Sequence, residues 1–253
     1  MSSFLEHIVA NIKEDELSSL KDKCFVFPTR RACLYFHSLL ATRFKSRVFI
    51  SPAVQSIEEF IQEQSTTLVV ADELTLLFKL FKTFKNEEPD LSFENFYVWG
   101  QTLLKDFDEL DRYLVDGEKV YQNLQEIQDI EATFGPNEEM QKAFLEFQKV
   151  IEVSKNAKLF KSFHENWLRV GRILPHFKAQ LKEEGIAYIG LCYRQVAEQL
   201  AENNLIIPYE KIIFAGFNAL SLSEEQIIDQ LLQKRQAQVY FDADEYYMKD
   251  ESQ

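Results

Sequence analysis

The sequence has little glycine, and this scarcity excludes a common way of binding nucleotide phosphates. A Walker A loop reads GxxxxGK[ST], because bare backbone amides must wrap the phosphates and the lysine must reach them. Only seven of the 253 residues are glycine, and none begins this pattern or precedes the first predicted strand: Gly100, Gly117, Gly135, Gly171, Gly185, Gly190 and Gly216. ATP hydrolysis by a P-loop mechanism is therefore not expected of this chain.

Cysteine, paired histidines and long apolar runs are also scarce. Cys24, Cys33 and Cys192 form no CxxC motif, and we interpret them as reduced thiols of an intracellular protein. No two histidines are spaced i,i+4 and none neighbours a cysteine, so neither a metal nor a cofactor is expected. The N-terminus does not read as a signal peptide, and no apolar run approaches the ~20 residues of a membrane span. These absences predict a soluble, cytoplasmic protein.

Positive charge is in deficit. With 28 basic and 41 acidic residues, the net charge is 28 − 41 = −13. A free-standing nucleic-acid binder usually has a basic surface, so this balance argues against strong autonomous DNA binding. A local basic groove remains compatible with it.

The first 70 residues alternate helical and strand patterns. Residues 3–14 have helical spacing, "CFVF" (24–27) reads as a strand closed by Pro28, and Thr29 can cap a helix that runs to about Arg43. "RVFISP" (47–52) reads as a second strand, and Ser56 as the cap of a third helix. This order predicts a parallel sheet.

From residue 71 to about 204 the periodicity is almost entirely helical. Predicted helices cover residues 71–85, 117–128, 137–154, 157–184 and 190–203, and residues 96–114 carry an apolar stripe. At Lys211 the α/β pattern returns with the strand "KIIFAGF", followed by a helix and then the strand "AQVYFDADEYY". The capping box of that helix is either Ser221 with Glu224 or Ser223 with Gln226. We therefore predict an α/β core formed by residues 1–70 and 205–253, interrupted by a helical subdomain at 71–204.

Several stretches resemble one family of DNA-processing proteins. "FVFPTRRACLYFHSLL", "KIIFAGFNALSLSEEQIIDQLL" and "AQVYFDADEYY" resemble sheet segments of the AddB-type helicase–nuclease subunits, and "FYVWGQTLLKDFDELDRYL" and "GIAYIGLCYRQVAEQL" resemble the helical block of Bacteroidetes-type members. The resemblance implies a P-loop-NTPase-like parallel sheet (helicase domain 1A-like) interrupted by a large helical insertion (1B-like). It also implies an inactivated superfamily 1 helicase region of a longer protein that ends in a PD-(D/E)XK nuclease domain.

The departures from the family pattern concern ATP chemistry. A Walker B strand should end in adjacent acids, one for Mg²⁺ and one for the attacking water. Here "KIIF" runs into Ala215, Gly216 and Asn218, with no acid before Glu224. We interpret these three residues, with Asp242 and Asp244 at the end of the last strand, as a degenerate nucleotide site. A retained function for the acids of "DADE" stays open as the lesser alternative, and no enzymatic activity is expected.

The turn "PTRRA" has two interpretations. The resemblance implies a single-stranded DNA contact, and Thr29, Arg30 and Arg31 at a helix N-terminus could hold a phosphate. The alternative is surface ion pairing with some of the many acids. Arg194 in "GLCYRQV" is the next candidate for a DNA contact.

Two other patterns are interpreted as structural. The acids of "DFDELD" are expected to lie mostly on a solvated helix face rather than to form a metal site: Asp106, Asp108, Glu109 and Asp111. Four aromatic residues are expected to pack in the core rather than to stack on bases: Tyr97, Trp99, Tyr188 and Tyr193.

The sequence as a whole predicts a non-catalytic, helicase-derived module of a protein that processes DNA double-strand-break ends. Its expected partners are DNA, bound weakly by this fragment, and a helicase or nuclease subunit, with no membrane. The alternative is a pure protein–protein interaction scaffold without DNA contact.

Overall fold

The computed structural model describes residues 3–117, 119–120 and 157–242, with the side chains of 157–168 excepted. These residues form two compact units. Unit 1 comprises the described residues of Met1–Val70, Asp111–Tyr113 and Ile189–Gln253, and unit 2 those of Ala71–Leu110 and Leu114–Tyr188. The predicted helix 137–154 and nearly all of 117–128 lie outside the described residues.

Unit 1 contains a four-stranded parallel sheet, which confirms the α/β class. Its strands are β1 (Lys23–Phe27), β2 (Ala53–Ser56), β5 (Lys211–Ala215) and β6 (Ala237–Tyr240), in the spatial order β2-β1-β5-β6. Cys24 of β1 lies opposite Ala53 on one side and Ile212 on the other. Ile212 in turn lies opposite Ala237. Two further strands of two residues each, β3 (Val69–Val70) and β4 (Ile186–Ala187), lie outside this sheet and were not predicted.

Helices supply the apolar cover of both sheet faces, as the nearly continuous apolar runs of β1 and β5 require. The helices are α1 (Phe4–Asn11), α2 (Arg30–Arg43), α3 (Ile57–Gln64), α7 (Ile189–Ala201) and α8 (Leu222–Gln233). On one face Phe36 of α2 packs on Phe25 and Phe27, with ring centroids 4.7 and 5.0 Å apart. On the other face Phe60 of α3 contacts Phe214 edge-on at 5.8 Å.

Side-chain caps fix where these helices begin. Ser56 with Glu59 and Ser221 with Glu224 form complete capping boxes, and so does Ser3 with Glu6 at α1. The structure therefore contains the first of the two predicted capping boxes for α8. Each cap contributes about 1 kcal/mol, because it satisfies backbone amides that have no partner within the helix.

Unit 2 is mainly helical in its described part, with β4 as its two-residue strand. It contains α4 (Glu73–Glu87), the part of α5 (Phe93–Arg112) that ends at Leu110, and α6 (Ala157–Glu183). Phe84 of α4 packs on Phe96 and Trp99 of α5, with centroids 5.5 and 4.9 Å apart. Ion pairs join α4 to the chain near the C-terminal half of α6: Lys79 with Glu184, Arg169 with Glu88, and Arg172 with Glu87.

Two features differ from the sequence prediction. "RVFISP" is not a strand: residues 47–50 are irregular, and β2 begins only at Ala53. The prediction was wrong because Val48 and Ile50 have no apolar cover, being 104% and 68% exposed, so β-branched composition alone does not place them in the sheet. The helix predicted at 190–203 appears as α7, and it belongs to the unit of the sheet rather than to the helical unit.

In the part of the chain that the structure describes, no helix combines the length and the apolar character needed to cross a membrane.

Candidate functional site at the carboxyl edge of the sheet

In the strand order β2-β1-β5-β6, the connections that follow β1 and β5 lead to opposite sides of the sheet. From β1 the chain crosses through α2 to β2 on one side, whereas β5 lies on the other side of β1 and leads to β6 beyond it. In open parallel sheets, ligands bind outside the carboxyl ends of the strands at such a switch point. The candidate site is therefore the edge where β1 and β5 end.

The structure brings two of the predicted segments to this edge. Thr29, Arg30 and Arg31 follow the end of β1, and Gly216 and Asn218 follow the end of β5. The two strands are neighbours, with Val26 opposite Phe214. Asp242 comes after the end of β6, one strand further along the same edge, and is exposed. Asp244 lies outside the described residues.

Thr29 and Arg30 are already engaged with protein groups. The Thr29 hydroxyl caps α2 by accepting the backbone N–H of Ala32 at 3.3 Å. Arg30 Nε lies 2.9 Å from Oε1 of Glu59, whose other oxygen accepts the backbone N–H of Ser56 at 2.9 Å. That backbone hydrogen bond, the Ser56 hydroxyl and the Arg30 guanidinium together hold the pKa of Glu59 below its usual range, against a smaller opposing effect of burial. The Arg30 side chain is nonetheless 75% exposed.

Arg31 makes fewer contacts with protein groups than Arg30 does. Its side chain is exposed in the first turn of α2, a turn that carries no acidic residue. Within the described residues no ion pair joins it to a carboxylate. Two arginines at a helix N-terminus oppose the helix dipole, and an anion bound beside them offsets that cost.

At the end of β5 a glycine adopts a positive φ, and an aromatic ring packs beside it. Ala215 is fully buried, and Gly216 has a φ of +78°, a conformation in which side chains are strained. A Cβ at Gly216 would lie 3.5 Å from Phe4 at the start of α1. The segment after β5 thus offers packing rather than the adjacent acids that metal-assisted phosphoryl transfer requires.

Arg194 sits in a different environment from the other predicted DNA contacts. It pairs with Asp111 at the end of α5 and, at 3.5 Å, with Glu198 one turn further along α7. Its side chain is 17% exposed, and the Asp111 side chain is fully buried. Asp111 is therefore not part of the solvated face that the acids of "DFDELD" were expected to form.

A second charged contact lies beside this pair. The Arg112 guanidinium stacks 4.5 Å above the Tyr193 ring and reaches Glu58 at 3.3 Å. Burial is the main reason why the pKa of the Tyr193 hydroxyl is raised, and the negative charge of Glu224 adds to the effect. Sequence reasoning missed this network, although one signal was present: Asp111 follows Phe107 by four residues and so continues the buried stripe of α5.

A metal-binding cluster or a cavity elsewhere in the described residues would be another kind of site. Among the described side chains, no group of three or more His, Cys, Asp or Glu residues could hold a metal ion. A cavity of about 660 Å³ opens near the amino edge of the sheet, beside Lys23 and Lys211, the first residues of β1 and β5.

Comparison with protein-family models finds no family that matches this chain, and a search of curated proteins finds no matching relative.

Proposed function

We propose that this chain is a non-catalytic, helicase-derived module of an AddB-like protein that processes DNA double-strand-break ends. In this proposal unit 1 corresponds to the P-loop-NTPase-like sheet and unit 2 to a helical insertion. The module acts in the cytoplasm as a scaffold for a helicase or nuclease subunit, and it guides a DNA strand across the carboxyl edge of the sheet.

One observation carries the proposal: the switch point between β1 and β5 presents arginines but no phosphate loop. A parallel sheet of order β2-β1-β5-β6 places "PTRR" and "AGFN" at neighbouring strand ends. The seven glycines form no Walker A pattern, and the first turn of α1 packs against Gly216. A sheet of this kind with an arginine pair and without ATP machinery supports a DNA-positioning role better than an enzymatic one.

A titration of fluorescent single-stranded DNA tests the DNA contact. Binding should weaken between about 50 mM and about 200 mM salt, because phosphate contacts release counterions. Replacing both arginines, Arg30→Ala with Arg31→Ala, should lower the slope of log K against log salt by about 1.4, at about 0.7 per lost contact.

A matched control separates this contact from general charge. Lys45→Ala with Arg47→Ala also removes two cations from unit 1 and also breaks one exposed ion pair, that of Arg47 with Glu14. This control should leave the slope within about 0.3 of wild type. An equal effect of both double variants would contradict a localised site.

The second candidate function is a scaffold that contacts only proteins. The observation that favours it is that Arg30 is paired with Glu59, in a chain with a net charge of −13. Absence of DNA binding even at about 50 mM salt would remove the DNA role and leave this function.

A further inference from the structure

Helices α4 and α5 of unit 2 expose a row of aromatic rings. Phe78 stacks on Phe93 with centroids 4.5 Å apart and planes 10° from parallel. Phe93 also meets Phe81 edge-on at 5.3 Å and Tyr97 at 5.9 Å. Phe78 remains 44% exposed and Tyr97 40% exposed. We call these four residues the ring row.

Phe78 and Tyr97 lie outside the core of unit 2, so the expectation that Tyr97 packs in the core is wrong. Phe81 packs on the core residue Phe96, with ring centroids 5.5 Å apart. The core is formed by the inward residues of the same helices, among them Leu77, Phe84 and Phe96, which are at most 1% exposed. Leu74, one turn before Phe78, is 52% exposed and extends the apolar surface. Adjacent exposed apolar side chains of this size mark a binding surface more often than chance exposure.

The α4 side of the ring row carries more bases than acids, whereas the α5 side carries the exposed Glu94 next to Phe93. Helix α4 carries three lysines and two glutamates, whereas the chain has 13 more acids than bases. Lys79 pairs with Glu184, and Glu87 pairs with Arg172. That leaves Lys82 and Lys85, both exposed, for which the described residues provide no ion pair.

These two lysines stand beside the rings. Lys85 Nζ lies 5.5 Å from the centre of the Phe81 ring, a cation–π distance. Phe78, Phe81 and Lys85 follow one another at intervals of three and four residues and so share one helix face, with Lys82 next to it. Flat rings and two exposed ammonium groups are thus presented together, and Lys82 also interacts electrostatically with Glu184.

We propose that the ring row with Lys82 and Lys85 binds single-stranded nucleic acid. Bases stack on the exposed faces of Phe78 and Tyr97, and the two ammonium groups bind phosphates. Sequence-tolerant binding of single strands uses this combination of aromatic platform and positive charge. An apolar peptide partner would bury the rings but leave Lys82 and Lys85 without an acidic partner, whereas a nucleic acid supplies both flat bases and phosphates on the α4 side. The inference deepens the proposed function and rests on it, because it assigns unit 2 a nucleic-acid contact of its own.

The experiment measures binding of a fluorescent oligothymidylate to the whole chain. Phe78→Ala with Tyr97→Ala should weaken binding about thirty-fold or more, because two stacks are lost and each contributes about five-fold or more. Val98→Ala, which truncates a neighbouring apolar side chain that is 71% exposed, should change affinity less than about two-fold. Thermal melting of each variant shows whether the fold is intact.

The lysines are tested in the same way. Lys82→Ala with Lys85→Ala should lower the salt slope by about 1.4. Lys105→Ala with Lys182→Ala removes two other exposed lysines of unit 2 and should leave the slope nearly unchanged. Photocrosslinking of wild type to an oligonucleotide with 5-iodouracil needs no variant and should give adducts at Phe78 or Tyr97.

The outcomes separate this inference from the proposed function. Adducts only near Arg30 and Arg31, with unchanged binding by Phe78→Ala/Tyr97→Ala, would overturn the inference and leave the proposed DNA contact standing. No binding at about 50 mM salt would overturn both. Self-association of wild type that Phe78→Ala/Tyr97→Ala abolishes, without any effect on DNA binding, would make the ring row a protein interface and also overturn the inference.

Discussion

Replacing Asp111 by alanine removes one partner of the most deeply buried ion pair described in unit 1. The Asp111 side chain has no exposed surface, and its partner Arg194 is 17% exposed. Glu198, at 3.5 Å from Arg194 and itself 52% exposed, would compensate the arginine less well than the buried Asp111 does. Loss of one member of a buried pair costs about 3–5 kcal/mol, because the remaining charge stays desolvated.

Urea denaturation followed by circular dichroism measures this cost. With a denaturant dependence of about 2 kcal/mol per M, a loss of about 4 kcal/mol lowers the midpoint by about 2 M. Glu109→Ala, an exposed acid of the same helix, is the control and should change stability by less than about 0.5 kcal/mol.

A double variant distinguishes a lost charge partner from lost packing. Asp111→Leu with Arg194→Met replaces the pair by apolar side chains and should recover most of the stability, because neither charge of the buried pair remains and Glu198 is 52% exposed. The reasoning is refuted if Asp111→Ala changes the free energy of unfolding by less than about 1 kcal/mol, since a side chain in water would behave in that way.

The remaining predictions concern titratable groups. The pKa of Glu59 is lowered in the folded chain, chiefly by the hydrogen bond from the Ser56 backbone N–H. The ionised carboxylate therefore stabilises the fold above about pH 4, and this stabilisation is lost as the pH falls through the pKa of the folded chain. Glu59→Gln should therefore flatten the acid limb of the stability profile, and an unchanged acid limb would contradict this assignment. Burial raises the pKa of Cys33 to about 11 and that of Cys24 further. Both thiols should react slowly with a thiol reagent at about pH 8 in the folded chain and rapidly in urea, whereas fast reaction of the folded chain would show that they are accessible.

The sequence predicted those elements whose local signals agree with their burial. "CFVF" closed by Pro28 became β1, and "KIIFA" followed by Gly216 became β5. Thr29 and Ser56 cap the helices they were expected to cap. In each case an apolar run ends at a residue whose backbone or side-chain chemistry forces a boundary.

The elements that were missed depend on partners distant in the chain. Val48 and Ile50 have strand-forming side chains, but the sheet pairs β1 with residues from Ala53 onward. Asp111 meets Arg194 across 83 residues of chain, and no local pattern encodes that distance. Arg30 meets Glu59 only because α2 and α3 begin at the same edge of the sheet.

The candidate site was predictable in part for the same reason. Parallel strands bring "PTRR" and "AGFN" to a common edge, which follows from the alternation of strands and helices. That β1 lies between β2 and β5, so that the two segments flank the switch point, is a property of the strand order, and the sequence pattern does not determine it.

The proposed function requires that the four-stranded parallel sheet of unit 1 binds no nucleoside triphosphate. The most direct measurement is thermal melting of the chain over a series of Mg-ATP concentrations into the millimolar range. The account predicts no concentration-dependent rise in melting temperature. A saturable rise, equivalent to about 2.7 kcal/mol of stabilisation at a hundred times the dissociation constant, would show specific binding and contradict the claim.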